Sequence, residues 1–161
     1  MDELLAIAQG LPQRSIEAGD VLLSDGAVVD GLYVLLDGAL WVEKAGVTIA
    51  TVTEPGACVG EIALLLGIPA TADVVAAERS VLAVVDDAPA RLATDPELPL
   101  ALARLLAARL QVMTTYLADL KRQYADHEGG LGMVDVVLGT LARGPATRSR
   151  LGSERDPDPE Y

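Results

Sequence analysis

Phenylalanine is absent from this chain of 161 residues, and tryptophan, cysteine and histidine occur once each. A single cysteine, Cys58, excludes an intramolecular disulfide, a zinc ribbon and a Cys-x-x-Cys redox pair. Its neighbours between Gly56 and Gly60 are apolar, so it reads as a small packed residue rather than a reactive thiol. The one histidine, His127, stands in a polar stretch ending in Gly129-Gly130 and reads as a helix-end residue rather than a metal ligand. That count removes a histidine-rich metal site, a metal-dependent enzyme on a β scaffold and a Ser-His-Asp triad elsewhere in the fold, so no enzyme activity, cofactor or metal is expected. Positive charge is also scarce: 12 Lys and Arg face 24 Asp and Glu, a formal net charge of -12. An acidic domain is a poor match for nucleic-acid phosphates, and direct DNA binding is not expected. Long hydrophobic runs are missing too, because Asp25, Asp30, Asp37 and Glu43 interrupt the most apolar region. No membrane span is therefore expected. Met1-Asp2-Glu3 lacks the basic start and apolar core of a signal peptide, which predicts a cytoplasmic protein.

What is present is aliphatic. Hydrophobic residues make up 51% of the chain while aromatics contribute only 3%, enough for a core built from Leu, Val, Ile and Ala. Residues 1–13 predict an N-terminal helix carrying Leu4, Leu5, Ile7 and Leu11, closed by Gly10 and Pro12. Across 14–86 the pattern changes to short β-rich runs: 15–16, 21–23, 32–36, 39–42, 47–52, 74–76 and 80–85. Their dividers (Gly19-Asp20, Asp25-Gly26, Asp30-Gly31, Asp37-Gly38, Ala45-Gly46, Pro55-Gly56) recur at the cadence of an antiparallel sandwich or barrel. One run stands apart. Glu61 to Leu66 has no turn residue and predicts a short helix embedded among the strands.

After Asp87 the chain turns helical. Residues 88–94 predict a short helix, and Asp95-Pro96-Glu97 starts a long one that closes a hinge-and-helix region over 87–126. Leu106, Leu110, Met113, Leu117, Leu120 and Tyr124 are spaced by alternating fours and threes, an a/d heptad seam. Leu98, Leu102 and Leu105 form an adjacent stripe, so one stripe is expected on the β layer and the seam against a second copy in a parallel homodimer. A further short amphipathic helix is expected within 127–145, and the Arg-, Asp- and Pro-rich 146–161 reads as a disordered tail.

The informative stretch is Gly56 to Val74. A strand runs through Val59 into Gly60, where the absent side chain lets backbone approach a ligand. The short helix begins at Glu61, so the unpaired amides of its first turn point outward, an arrangement suited to a phosphate. Glu61 either accepts a donor such as a sugar hydroxyl or only complements the helix dipole; periodicity alone favours the second. The run Gly60-Glu61-Ile62-Ala63-Leu64-Leu65-Leu66-Gly67-Ile68-Pro69, with the glycine and aspartate turns upstream and Asp95-Pro96-Glu97 downstream, resembles the cyclic nucleotide-binding domain family. That family includes catabolite-activator-type regulators, protein kinase A regulatory subunits and cyclic-nucleotide-gated channels. The resemblance extends over roughly residues 11–125 and centres on the cassette 60–74.

The resemblance implies a fold mainly β with α: an antiparallel β-roll of double-stranded β-helix or jelly-roll type, with a cassette helix and a long C-terminal helix. It also implies a ligand site at Val59, Gly60, Glu61, Ile62, Ala63, Ala70 and Thr71, with cyclic AMP or another cyclic nucleotide as ligand. One departure is consequential. After Pro69 the family usually has an arginine whose fork pairs with the cyclic phosphate, and this chain has Ala70. Losing such a charge-assisted contact costs about 1.5–3 kcal/mol, or roughly one to two decades of affinity. Asp73 further replaces the usual small hydroxyl residue and brings negative charge close to the site. Two readings follow from the resemblance. The chain is a stand-alone sensor that binds a small ligand and signals through its long helix to a separate effector protein. Alternatively it is a degenerate relative that binds no cyclic nucleotide and serves as a dimeric scaffold or docking unit.

Overall fold

The computed structural model describes residues 2–123 and 132–143. Tyr124, His127 and the tail from 146 onward lie outside the described residues. The chain divides into two compact units, residues 1–107 and 108–161. The first begins with α1 (Asp2–Ala8), followed by β1 (Gln13–Ile16), β2 (Val21–Leu23), β3 (Leu32–Asp37), β4 (Leu40–Lys44), β5 (Val47–Val52) and β6 (Cys58–Val59). Next come α2 (Glu61–Leu66), β7 (Asp73–Ala76), β8 (Ser80–Val85), α3 (Ala88–Thr94) and α4 (Glu97–Gln123), the last running on into the second unit, where α5 (Gly132–Arg143) follows. The first helix stops at Ala8, ahead of the Gly10 and Pro12 that interrupt helical pairing. The long helix starts at Glu97, whose N–H is accepted by Asp95 Oδ1 at 3.0 Å.

All eight strands pair antiparallel in two four-stranded sheets, ordered β1-β8-β3-β6 and β2-β7-β4-β5. The architecture is the mainly β roll with helices that the sequence predicts. The two sheets differ in how their faces are used, and the sequence pattern records the difference. On β3, Leu32 and Val34 face one core cluster while Leu35 faces the other. On β8, Ala83 and Val85 point one way and Leu82 the other, and on β6 Cys58 and Val59 divide likewise. The first sheet is thus buried on both faces, which is why Leu32-Tyr33-Val34-Leu35-Leu36 is a continuous apolar run rather than an alternation. The second sheet is covered on one face only: on β2, Leu22 is buried beside an exposed Val21, and the edge strand β5 is exposed through Thr51.

One cluster lies between the sheets: Ile16, Leu22, Leu35, Leu40, Val59, Val74, Ala76 and Leu82. The other lies beneath the helices, joining Leu4 and Ala8 of α1 to Leu32, Val34, Cys58, Val85 and Ala88, and to Leu98, Ala101, Leu102 and Leu105 of α4. The expected packing of the Leu98, Leu102 and Leu105 stripe on the β layer is what is found. Each fully buried leucine contributes about 1.5–3 kcal/mol relative to an exposed one. Cys58 is a buried thiol of this cluster, outside any disulfide, and packs as a small core residue as expected.

A polar group is buried where the sheets meet. Ser80 is fully covered, and its hydroxyl accepts the Ala39 N–H at 3.1 Å and lies 2.9 Å from the Glu78 carbonyl and 3.1 Å from that of Ala39. Removing it strands a buried amide, which costs about 1–3 kcal/mol. Ser80→Ala is therefore expected to lower the unfolding free energy by an amount in that range, read in urea as a lower midpoint with an unchanged slope. A midpoint indistinguishable from the native chain would show that water replaces the hydroxyl.

Candidate ligand-binding site

The cassette is fixed from both ends by the connection between β2 and β3. At its start, β6 pairs with β3 through Tyr33↔Val59 and Val34↔Cys58. The chain then turns at Gly60, in the left-handed region at φ 93. A Cβ on Gly60 would stand 3.1 Å from the Gly31 carbonyl oxygen and 3.4 Å from Val29 Cγ1. Both the backbone angle and the close approach therefore require glycine here. The Gly60 carbonyl accepts the Leu64 N–H at 3.2 Å and opens α2. The helix closes at Gly67, beyond which the Ile68 N–H bonds the Ala63 carbonyl at 3.0 Å.

The far end is tied by backbone. Ala70 donates its N–H to Ala27 at 2.8 Å and accepts that of Gly26 at 2.8 Å, and its methyl is buried. Beside it Thr71 is exposed. Asp73, the first residue of β7, accepts the Asp25 N–H on Oδ1 at 2.8 Å, while Asp25 Oδ2 takes the Lys44 ammonium at 2.7 Å. Asp73 is thus more than the added negative charge expected from the sequence: it holds the turn against which Ala70 lies. Lys44 escaped the sequence reading because it reaches this cluster from the far end of β4, 19 residues from its partner.

Within α2 the usual rule of inside and outside is inverted. Glu61 is 3% exposed, whereas Ile62 is 45% and Leu66 66% exposed, with Leu65 and Ile68 also at the surface. On Ala63 and the half-buried Leu64 the helix rests on the core. Among the described residues no buried side-chain polar atom lacks a partner, so the Glu61 carboxylate is accommodated rather than stranded. A covered carboxylate beneath uncovered leucine and isoleucine departs from what packing alone selects, and such departures mark sites.

Of the residues expected at the site, Val59, Gly60, Glu61, Ile62 and Ala63 are contiguous across β6 and α2, and Ala70 and Thr71 lie on the connection to β7. Both groups border residues 23–31. Arg79 and Arg91 are engaged elsewhere, with Glu17 at 3.6 Å and Asp95 at 3.8 Å. A separate open groove of about 480 Å³ lies away from the cassette, between α1 and the start of α4, with Glu3, Ile7, Leu100 and Arg104 in its lining. Among the described residues no group of three His, Cys, Asp or Glu is positioned to hold a metal, and no helix is long and apolar enough to cross a membrane.

Comparison with known proteins agrees with this geometry. Residues 13–90 match the family model of the cyclic nucleotide-binding domain. Over 89 residues the chain is 34% identical to a cAMP-dependent protein kinase regulatory subunit of Blastocladiella emersonii. That match covers 53% of this chain and 22% of the relative, so the chain spans about a fifth of that protein. Among solved structures, a cyclic nucleotide-binding domain from Methylobacillus flagellatus superposes with a TM-score of 0.59 at 24% identity, covering 81% of this chain and 85% of that one. The N-terminal domain of a transcriptional regulator from Streptomyces coelicolor superposes at 0.52 with 25% identity, covering 72% and 85%.

The cassette geometry is testable by placing a methyl at its start. A non-glycine residue in the left-handed region costs about 1–2 kcal/mol, and at Gly60 the contact with the Gly31 carbonyl adds to it. Gly60→Ala is expected to destabilise the chain more than Gly67→Ala, since Gly67 (φ 63) has open space around the added methyl. Equal losses in thermal unfolding would show that the Gly60–Gly31 approach is not a constraint.

Proposed function

We propose, because residues 13–90 match the model of the cyclic nucleotide-binding domain, that this chain is a regulatory sensor module rather than a catalyst. Its ligand is cyclic AMP or a related ribose-bearing small molecule, held on the cassette by Val59, Gly60, Glu61, Ile62, Ala63, Ala70 and Thr71. The observation that carries the reading is the buried Glu61 at the start of α2 under an exposed apolar face. An ionised carboxylate is an acceptor only and fits a hydroxyl donor such as that of ribose. The same region supplies the coupling. Cys58 of β6, directly before the cassette, shares its core cluster with Leu98, Leu102 and Leu105 of α4. A ligand that shifts β6 and α2 changes the packing of that stripe, and two arrangements with different ligand affinity are all that a switch needs.

In this reading the output runs through α4 to a separate effector protein. The seam Leu106, Leu110, Met113, Leu117 and Leu120, continued by Tyr124, joins two copies as a homodimer; Leu110 and Met113 are exposed in the single chain. Direct DNA binding is not part of the proposal, given the acidic balance. A buried thiol outside any disulfide suits the reducing cytoplasm. Ala70 favours a second reading, in which the roll holds no ligand and acts as a dimeric scaffold or docking unit.

Two experiments test the proposal. In calorimetric titration with ribose-bearing ligands, Glu61→Gln is expected to weaken binding about 10- to 100-fold, the loss of one hydrogen bond to a charged acceptor. Unchanged affinity would remove Glu61 from the site. Met113→Asp with Leu117→Asp is expected to convert a dimer into a monomer by light scattering, and a native chain already monomeric would refute the seam as an interface.

A further inference from the structure

The cassette has kept its acceptor and lost its cation, and the surrounding charges extend that change. From Ala45 to Glu78 the chain contains neither lysine nor arginine. The first unit holds five basic side chains, Arg14, Lys44, Arg79, Arg91 and Arg104. Arg79, Arg91 and Arg104 pair with Glu17, Asp95 and Glu3. Arg14 sits on β1, at the opposite edge of its sheet from β6. That leaves Lys44, the cation tied most directly to the cassette. Its ammonium lies 2.7 Å from Asp25, whose own N–H is held by Asp73, and Glu43 stands opposite Asp73 in the strand register. Asp25 in turn directly precedes Gly26, the residue bonded to the Ala70 carbonyl. One cation among three carboxylates leaves the wall beside Ala70 net negative.

We infer that this site selects an uncharged nucleoside over the corresponding cyclic nucleotide. The inference rests on the cassette being a ligand site, as proposed above. Among the described residues of the first unit, an anionic phosphate brought beside Ala70 meets no cation but Lys44, and it lies within the reach of carboxylate charges, which act over about 8 Å at physiological salt. A nucleoside carries no such charge. It retains the ribose hydroxyls for Glu61, and its 5′-hydroxyl can donate to an acceptor-rich wall where a phosphate oxygen can only accept. Ala70 is thereby a specificity-determining position: a small neutral residue admits the neutral ligand without offering the anion a partner.

The test is isothermal titration of the full chain with adenosine, guanosine, cyclic AMP and cyclic GMP, repeated with Ala70→Arg. In the native chain at least one nucleoside is expected to bind, and its cyclic nucleotide at least tenfold more weakly. In Ala70→Arg the ratio should move tenfold or more toward the cyclic nucleotide. A native chain that binds cyclic nucleotide as tightly as nucleoside overturns the inference and leaves the ligand site standing. Cyclic nucleotide binding that appears only in Ala70→Arg, with no nucleoside bound by either protein, also overturns it. No binding of any of the four by either protein overturns the cassette reading and the inference together. Should Ala70→Arg fail to fold, salt decides with the native chain alone. Raising sodium chloride from about 50 to about 500 mM should leave nucleoside affinity unchanged and strengthen cyclic nucleotide binding as repulsion is screened, and weakening of the latter would refute a negative wall.

Discussion

The double-sided burial of the β1-β8-β3-β6 sheet is the constraint on which the rest of the molecule depends. Because β3 sends Leu32 and Val34 to the helices and Leu35 to the opposing sheet, neither face can be given to solvent. Strand β6 is only two residues long, yet Cys58 and Val59 enter different cores. That brief pairing anchors the cassette, since the chain leaves Val59 directly into Gly60 and α2. Helices α1, α3 and α4 cover the outer face as a group, so the position of α4 follows from residues that also fix β6.

Against this anchored frame, the composition of α2 acquires meaning. A six-residue helix packed for stability alone would bury Ile62 or Leu65 and leave Glu61 in water. Here the carboxylate is covered and the large apolar side chains are uncovered. The inversion begins directly after the turn at Gly60: the first residue of the helix, Glu61, is covered and the second, Ile62, is exposed. A local backbone requirement, glycine at φ 93 against the Gly31 carbonyl, thus fixes where the helix starts.

Much of this was legible in the sequence, and the reasons differ from element to element. Strands 21–23, 47–52 and 80–85 and helices 61–66 and 88–94 could be read because glycine, aspartate and proline mark their limits. Lys44 extends β4 beyond the expected 42 because hairpin pairing with Val47 carries the ladder past the apolar residues. The two-residue β6 was visible only as the approach to Gly60, for so short a strand has no periodicity. The burial of Glu61 was not legible: on periodicity alone a carboxylate in a first turn reads as a dipole partner. Nor was the Lys44–Asp25–Asp73 cluster, which joins β4, a turn and β7 through contacts 19 and 48 residues apart. The substitution at position 70 was plain from the motif, but only the fold reveals what lies beside it.

What lies beside it also explains how the roll holds its shape without an arginine at that position. Two backbone hydrogen bonds join Ala70 to the 26–27 turn, and the Asp73 carboxylate holds the Asp25 amide one residue earlier. None of these three bonds uses a side chain of residue 70. The connection from α2 to β7 is therefore closed onto the β2–β3 loop by bonds within the chain itself, so at the proposed site ligand binding would not have to supply the free energy of ordering that connection. The choice among ligands there would fall to local charge and hydrogen-bond complementarity. At the proposed site, a change as small as alanine for arginine would then redirect what is accepted while the strands around it keep their register.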